Sequence, residues 1–251
     1  VGHAHLLHRP GDTPVHRLAP QVKVVAALAF VLCVVTTPRT AFWAFGVHLA
    51  LLAGVWVIAR VPPGWLAARA LIEAPFVVLA LLLPFLSGGP AVDVLGVSLS
   101  QTGLLVGWNI LAKGTLGVLT SLTLAATTSP RDLLVGLQRL RVPSMVITIA
   151  TLMLRYLEVI AAEAQRMRLA RVCRGHNPRF LWQAGATARS VGTLFIRSYE
   201  RGERVHLAMV SRGWTGRMPE TGTPAPTRAW VAGLAPALLA GLAVAGTTLW
   251  P

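Results

Sequence analysis

The feature that most constrains the fold is a row of long apolar tracts separated by short polar turns. Four follow one another, Val22–Thr37, Ala41–Ala59, Ala70–Leu86 and Thr102–Thr127, and a fifth, Ala229–Trp250, comes at the far end. Crossing a bilayer takes about 20 mostly apolar residues as a helix, which satisfies its own backbone hydrogen bonds where no water is present. The first tract, at about 24 Å of helix, is short for a span, so flanking residues or helix tilt must make up the difference. Only 13% of the residues are charged and 54% are hydrophobic, whereas soluble domains carry about a quarter charged residues. The pattern predicts an all-α integral membrane protein, a bundle of about five transmembrane helices.

The third tract contains Glu73, Pro75 and Pro84 and is expected to be kinked or broken, since a proline inside a helix removes a hydrogen bond and crowds the preceding turn. Ser87–Gln101 reads as a glycine-containing connection with Asp93 as its one charge. Asn109 and Lys113 lie within the fourth tract, and Pro236 interrupts the fifth.

Charge divides the chain. The net charge is +14, and residues 131–228 hold 16 Lys and Arg against 6 Asp and Glu. Arg9, Arg17, Lys23, Arg60, Arg69 and this basic segment fall on one side of the spans, and Arg39 alone on the other. The positive-inside bias therefore predicts a cytoplasmic N-terminus and a cytoplasmic basic segment. The expected organisation is a cytoplasmic segment over 1–21, four spans over 22–127, a basic cytoplasmic region over 128–228 and a last span over 229–251. Nucleic acid is excluded as a partner of this charge, because no reader motif or aromatic-basic platform accompanies it. The lipid bilayer is the surrounding expected for the rest.

Within the basic segment, Val142–Leu154 is apolar for only 13 residues between Arg141 and Arg155, too short for an ordinary span. Ser129-Pro130-Arg131-Asp132 supplies a helix start, and Pro143 separates that short helix from a long one running from Ser144 to Arg174. A second long helix is expected from about Leu181 to Arg212. Glu163, Arg166, Ala170 and Arg174 share one stripe of the first, and Arg197, Arg201, Arg204, Ala208 and Arg212 one stripe of the second.

The two helices end alike. RLARVCRGHNPR (Arg168–Arg179) and HLAMVSRGWTGR (His206–Arg217) share Leu169 with Leu207, Ala170 with Ala208, Val172 with Val210, Arg174 with Arg212, Gly175 with Gly213 and Arg179 with Arg217. Arg followed by Gly is an ordinary helix stop: glycine takes the left-handed conformation and arginine favours the negative helix end. A stop does not require the shared Leu, Ala and Val. A small, apolar face with a projecting guanidinium suits a helix end that inserts into a groove on another protein.

Other chemistry finds little support. Glu73 and Lys23 lie near tract ends, where such side chains can snorkel to the interface, and Lys113 has no carboxylate in its own tract. The histidines His3, His5, His8 and His16 lack a carboxylate or cysteine cluster, so no metal site and no cofactor is expected. Cys33 and Cys173 make neither a disulfide framework nor a zinc site. Walker glycine loop, nucleophile elbow and HExxH are all missing, and no catalytic residue is expected. The N-terminal stretch, with its basic residues, prolines and histidines, does not read as a cleavable signal.

Four blocks in order carry a resemblance: DTPVHRLAPQVKVVAALAFVL, SPRDLLVGLQRLRVP, MLRYLEVIAAEAQRMRLARVCRG and RSYERGERVHLAMVSRGW. With the paired Arg-Gly ends, the chain resembles the transmembrane T component of energy-coupling factor transporters, and within it the CbiQ subfamily serving cobalt uptake. The resemblance implies a bundle with an arm of cytoplasmic coupling helices in a bacterial or archaeal cell membrane. It implies as partners two ABC-type ATPase subunits (CbiO-like), a substrate-binding membrane subunit (CbiM-like) and a small accessory membrane subunit (CbiN-like). By position, Arg174 and Arg212 are the ATPase-docking arginines, Gly175 and Gly213 follow them, and Cys173 and Ser211 precede them. Cys173 departs mildly from the usual Ala or Ser. ATP hydrolysis then belongs to the partners. Nickel or a vitamin in place of cobalt leaves the same role; a stand-alone secondary carrier would instead need a substrate site at mid-membrane.

Overall fold

The computed structural model describes residues 8–88, 91–94, 97–176, 184–217 and 225–249. The chain divides into two compact units, Gln138–Thr221 and His5–Leu137 with Gly222–Pro251.

The larger unit is the membrane bundle. A short helix α1 (Pro14–Arg17) leads into α2 (Pro20–Thr36), α3 (Phe42–Ala59) and α4 (Pro63–Ala70). A 3-10 turn at Leu71–Glu73 then breaks the third tract before α5 (Ala74–Leu86), with Pro75 in the opening turn where its missing N–H costs nothing. The break expected from the prolines is thus there, although Pro84 is carried inside α5. After it come α6 (Gln101–Thr127), α7 (Pro130–Arg139) and, farther along the chain, α10 (Thr227–Leu249). α2 packs on α10 and α6, and α5 on α6.

Glycine sets the spacing of α5 and α6. A Cβ on Gly107 would lie 2.6 Å from the Ala80 carbonyl oxygen, and one on Gly103 would lie 2.7 Å from that of Leu83. The two backbones touch, as small residues allow in membrane bundles. The core among α2, α3, α4, α6 and α10 is built from Phe30, Val34, Phe45, Leu52, Leu66, Leu116 and Ala240. The outward residues are apolar as well: Val57 is 78% exposed, Phe85 65% and Leu242 68%. A water-facing surface rarely carries so much contiguous hydrocarbon.

Among the described residues, five helical segments are long and apolar enough to cross a membrane: α3, Pro63–Leu86, α6, Ser144–Cys173 and Thr227–Thr247. The count equals the expected one, but the set differs. α2, with 17 residues, is among the shorter apolar helices. Ser144–Cys173 qualifies because Leu157, Val159, Ile160 and two alanines continue the apolar run past Arg155 within one unbroken helix.

Two further expectations are corrected. Ser87–Gln101 is more than a connection: Ala91–Val94 (β1) and Val97–Ser100 (β2) pair antiparallel, with Ala91 opposite Ser100 and Val94 opposite Val97. Ser100 then caps α6 by accepting from the Gly103 N–H at 3.3 Å. Glu73 and Lys23 do not snorkel; they are 4% and 8% exposed. Glu73 accepts from the Thr115 hydroxyl at 3.2 Å beside Gly114, where the absence of a side chain leaves room for the carboxylate. Lys23 Nζ donates to the carbonyls of His16 at 3.0 Å and Thr127 at 2.8 Å, closing the open end of α6. Lys113 does the same for α2, donating to the Val35 carbonyl at 2.7 Å.

The smaller unit contains α8 (Ser144–Cys173) and α9 (Gly185–Val210). The sequence signals placed the first accurately, with Pro143 as its N-cap and Arg174 as its C-cap. Leu181, the expected start of the second, and Asn177-Pro178, its expected separator, lie outside the described residues.

Candidate functional site: two equivalent helix ends

The ends of α8 and α9 are the same structure built twice. At the first, Gly175 N–H donates to the Val172 carbonyl at 2.9 Å and His176 N–H to that of Arg171 at 3.0 Å. At the second, Gly213 N–H donates to Val210 at 2.9 Å and Trp214 N–H to Met209 at 3.0 Å. This nested pair of bonds is a Schellman motif, which satisfies carbonyls that the last turn would leave open. It needs a left-handed residue at its centre, and Gly175 and Gly213 have φ of +79° and +80°. A Cβ at either would meet nothing within 4 Å. Conformation, and not crowding, selects glycine there.

The equivalence extends to the side chains. Leu169 and Leu207 are 63% and 66% exposed, and Val172 and Val210 are 48% and 50% exposed. Each pair sits at i and i+3 on one face, and the alanine after each leucine is exposed too. Cys173, Arg174, Ser211 and Arg212 are all exposed. Each end therefore presents a leucine, a valine, a small residue and a guanidinium. Arg174 and Arg212 both stand in the terminal turn just past their helices, which close at Cys173 and Val210, and their N–H groups donate alike, to the Arg171 and Met209 carbonyls at 3.1 Å.

The ends also differ, most visibly just past the glycines. His176 and Trp214 occupy the same place, each with a buried ring nitrogen that finds no partner among the described residues. Trp214 stands edge-on to His206, with ring centroids 5.8 Å apart.

One cross-helix ion pair was not legible in sequence. Glu163 on α8 accepts from Arg166 at 2.6 Å on its own helix and from Arg197 of α9 at 2.7 Å. Its position on the charged stripe was visible, whereas a partner 34 residues away requires the fold.

Of the histidines, His3 and His5 lie outside the described residues. Both ring nitrogens of His16 are engaged, Nδ1 with the Thr13 hydroxyl at 2.7 Å and Nε2 with the Arg9 carbonyl at 3.2 Å. Burial, with the Lys23 charge adding to it, pushes the His16 imidazole below its ordinary pKa. His48 is fully buried in α3, edge-on to Phe30 at 5.8 Å. Neither of its ring nitrogens makes a hydrogen bond of good geometry among the described residues, and the Ala44 and Ala240 carbonyls act on the ring from nearby.

Together these features define a class: a multi-pass helical membrane protein that carries two equivalent, exposed helix ends. The chain belongs to the CbiQ family of cobalt transport proteins, whose family model matches residues 11–222. It is 32% identical over 228 residues to a cobalt transport protein CbiQ of Rhodobacter capsulatus, covering 90% of this chain and 91% of that one. It is 28% identical over 221 residues to an energy-coupling factor transporter transmembrane protein EcfT of Bacillus selenitireducens, covering 82% of each. A putative fused cobalt transport protein CbiMQ of Methanocorpusculum labreanum is 27% identical over 243 residues, spanning 92% of this chain and 40% of that longer one.

Proposed function

We propose that the chain is the transmembrane coupling subunit of an ATP-driven cobalt importer of the energy-coupling factor type. Its α8 and α9 ends, through Arg174-Gly175 and Arg212-Gly213, dock on two ABC-type ATPase subunits. ATP-driven movement of those subunits is passed through the two helices to a separate substrate-binding membrane subunit.

The observation that carries this reading is the duplication of one exposed helix end, bond for bond and face for face. A dimeric motor offers the same groove twice, and two matching ends fit it. Cys173 and Ser211 keep the residue before each arginine small. The names of the relatives favour the same reading: one is an energy-coupling factor transmembrane protein, and another is a fusion bearing the CbiM name. The CbiM-like partner is thus taken as the substrate-binding subunit, with a CbiN-like accessory subunit beside it. The distribution of Arg and Lys favours a cytoplasmic N-terminus and a cytoplasmic 128–228 arm.

Co-reconstitution of the chain with CbiO-like and CbiM-like subunits in vesicles tests this. Cobalt uptake is expected to require ATP and all three proteins. ATP-driven uptake of nickel or a vitamin in preference to cobalt would transfer the role to another substrate. Uptake by the chain alone, without ATP, would support a carrier and refute the coupling role.

A further inference from the structure

The membrane bundle encloses a cavity of about 340 Å³ among α1, α2, α3, α6 and α10, within the size range of small-ligand sites. Its shape follows the helices. Lys23 and Phe30 mark its two ends on α2, Ile58 and Leu51 on α3, and Thr127 and Thr120 on α6. Each pair is seven residues apart, so the cavity runs about 10 Å along the helix axes. Its walls are hydrocarbon, from Ala27, Phe30, Leu52, Val55 and Ala237 among others. Threonine hydroxyls in the wall are already committed: Thr120, Thr123 and Thr127 each donate to a carbonyl one turn back on α6.

One end is different. Lys23 is 8% exposed and lines the cavity, and its ammonium gives two hydrogens to the His16 and Thr127 carbonyls. An ammonium carries three. Among the described residues no carboxylate lies within 4.0 Å of it; Asp132 acts on it from farther away, and that carboxylate accepts from the Ser129 hydroxyl at 2.7 Å. A buried cation without a close counter-ion is costly, and an anion placed beside it is correspondingly favoured. Lys23 sits in the first turn of α2 and Thr127 is the last residue of α6, so this charged end lies at the level where helices meet lipid headgroups. Ile58, 54% exposed and near the end of α3, stands at the rim level with Lys23 and leaves the charged end open sideways at interface depth.

We infer that this cavity is a binding site for an anionic membrane lipid, with one acyl chain along the Phe30–Leu51 wall and the headgroup phosphate on the third N–H of Lys23. The charged end at interface depth and the apolar end toward the membrane interior match a lipid's own polarity and direction. A soluble anion would gain nothing from the hydrocarbon wall, and a neutral lipid would gain nothing from the ammonium.

The full chain in nanodiscs decides the matter, read by native mass spectrometry as detergent strips the lipid. Phosphatidylglycerol and phosphatidylcholine with identical acyl chains are compared, with inorganic phosphate as a third probe. Wild type is expected to retain one phosphatidylglycerol about tenfold better than phosphatidylcholine, a ratio that corresponds to about 1.4 kcal/mol. Lys23→Met should erase that preference. Ala27→Phe, which leaves the Lys23 bonds intact and fills the cavity, should lose both lipids while the chain keeps its melting temperature. This second variant keeps the test decisive if Lys23→Met fails to fold. Equal retention of the two lipids by wild type, undiminished phosphatidylglycerol on Ala27→Phe, or displacement of the lipid by inorganic phosphate would each overturn the assignment.

Discussion

Glu163 and Arg197 join α8 to α9 across 34 residues of sequence, with Nη1 of the arginine 2.7 Å from Oε1 of the glutamate. The other carboxylate oxygen is held by Arg166, and the Glu163 side chain is 19% exposed. A carboxylate held from two sides loses less freedom per bond than an isolated surface pair, which is worth little. The pair should therefore act as a pin between the two helices. Glu163→Gln and Arg197→Gln are each expected to raise amide hydrogen exchange around residues 193–201 of α9. The double variant should be no looser than either single one, and rising salt should narrow the difference from wild type.

At Gly175 and Gly213 the open space around the missing Cβ separates conformation from crowding. A β-carbon in the left-handed region costs roughly 1–2 kcal/mol, and asparagine tolerates it better than valine. Gly175→Val and Gly213→Val should fray their helix ends and weaken ATPase binding. Gly→Asn at the same positions should retain most of it. Melting of the bundle should not change in any of the four variants. Surface plasmon resonance against the ATPase, beside a thermal melt, separates the two effects.

The α5–α6 contact makes the opposite prediction for glycines inside a helix. Gly103→Ala and Gly107→Ala push a methyl into backbone, where overpacking costs about 1–3 kcal/mol. Gly117 on the same helix faces nothing within 4 Å. Gly117→Ala should be neutral or stabilising by up to about 1 kcal/mol, from helix propensity alone. Detergent unfolding curves of the three variants should fall in that order.

His16 gives the N-terminal segment a pH dependence. Its folded pKa lies below its unfolded value of about 6.5, so its contribution is fully present above that pH and lost as pH falls through the folded pKa. The groups acting on the ring are Lys23, His8 and Asp12. Protection factors of the amides of residues 9–18, with exchange corrected for its intrinsic pH dependence, should fall between pH 7.5 and 5.5, and His16→Gln should flatten that change.

The spans were legible because their length and composition answer to the bilayer, and the break before α5 was legible from Pro75. The helix ends could be read from sequence because a left-handed stop selects glycine locally. What escaped was set by tertiary contact. The burial of Glu73 depends on Gly114 lying opposite it, and that of Lys23 on two carbonyls brought from α1 and the end of α6. The β1–β2 hairpin escaped because its strands are four residues each and lack a long alternating pattern. Ser144–Cys173 is apolar enough to cross a membrane with both Arg155 and Glu158 in its apolar stretch, because Val159, Ile160 and two alanines follow them.

In the proposed coupling role, the two Arg-Gly ends are equivalent plugs for a two-fold motor. The most direct measurement is pull-down of the CbiO-like ATPase by wild type, Arg174→Ala, Arg212→Ala and the double variant, with subunit stoichiometry read from the complex. Loss of a buried interface arginine costs about 2–4 kcal/mol. Wild type should hold two ATPase subunits, each single variant should bind more weakly, and the double variant should release both. A double variant that keeps two ATPase subunits at wild-type affinity would rule out docking through these arginines.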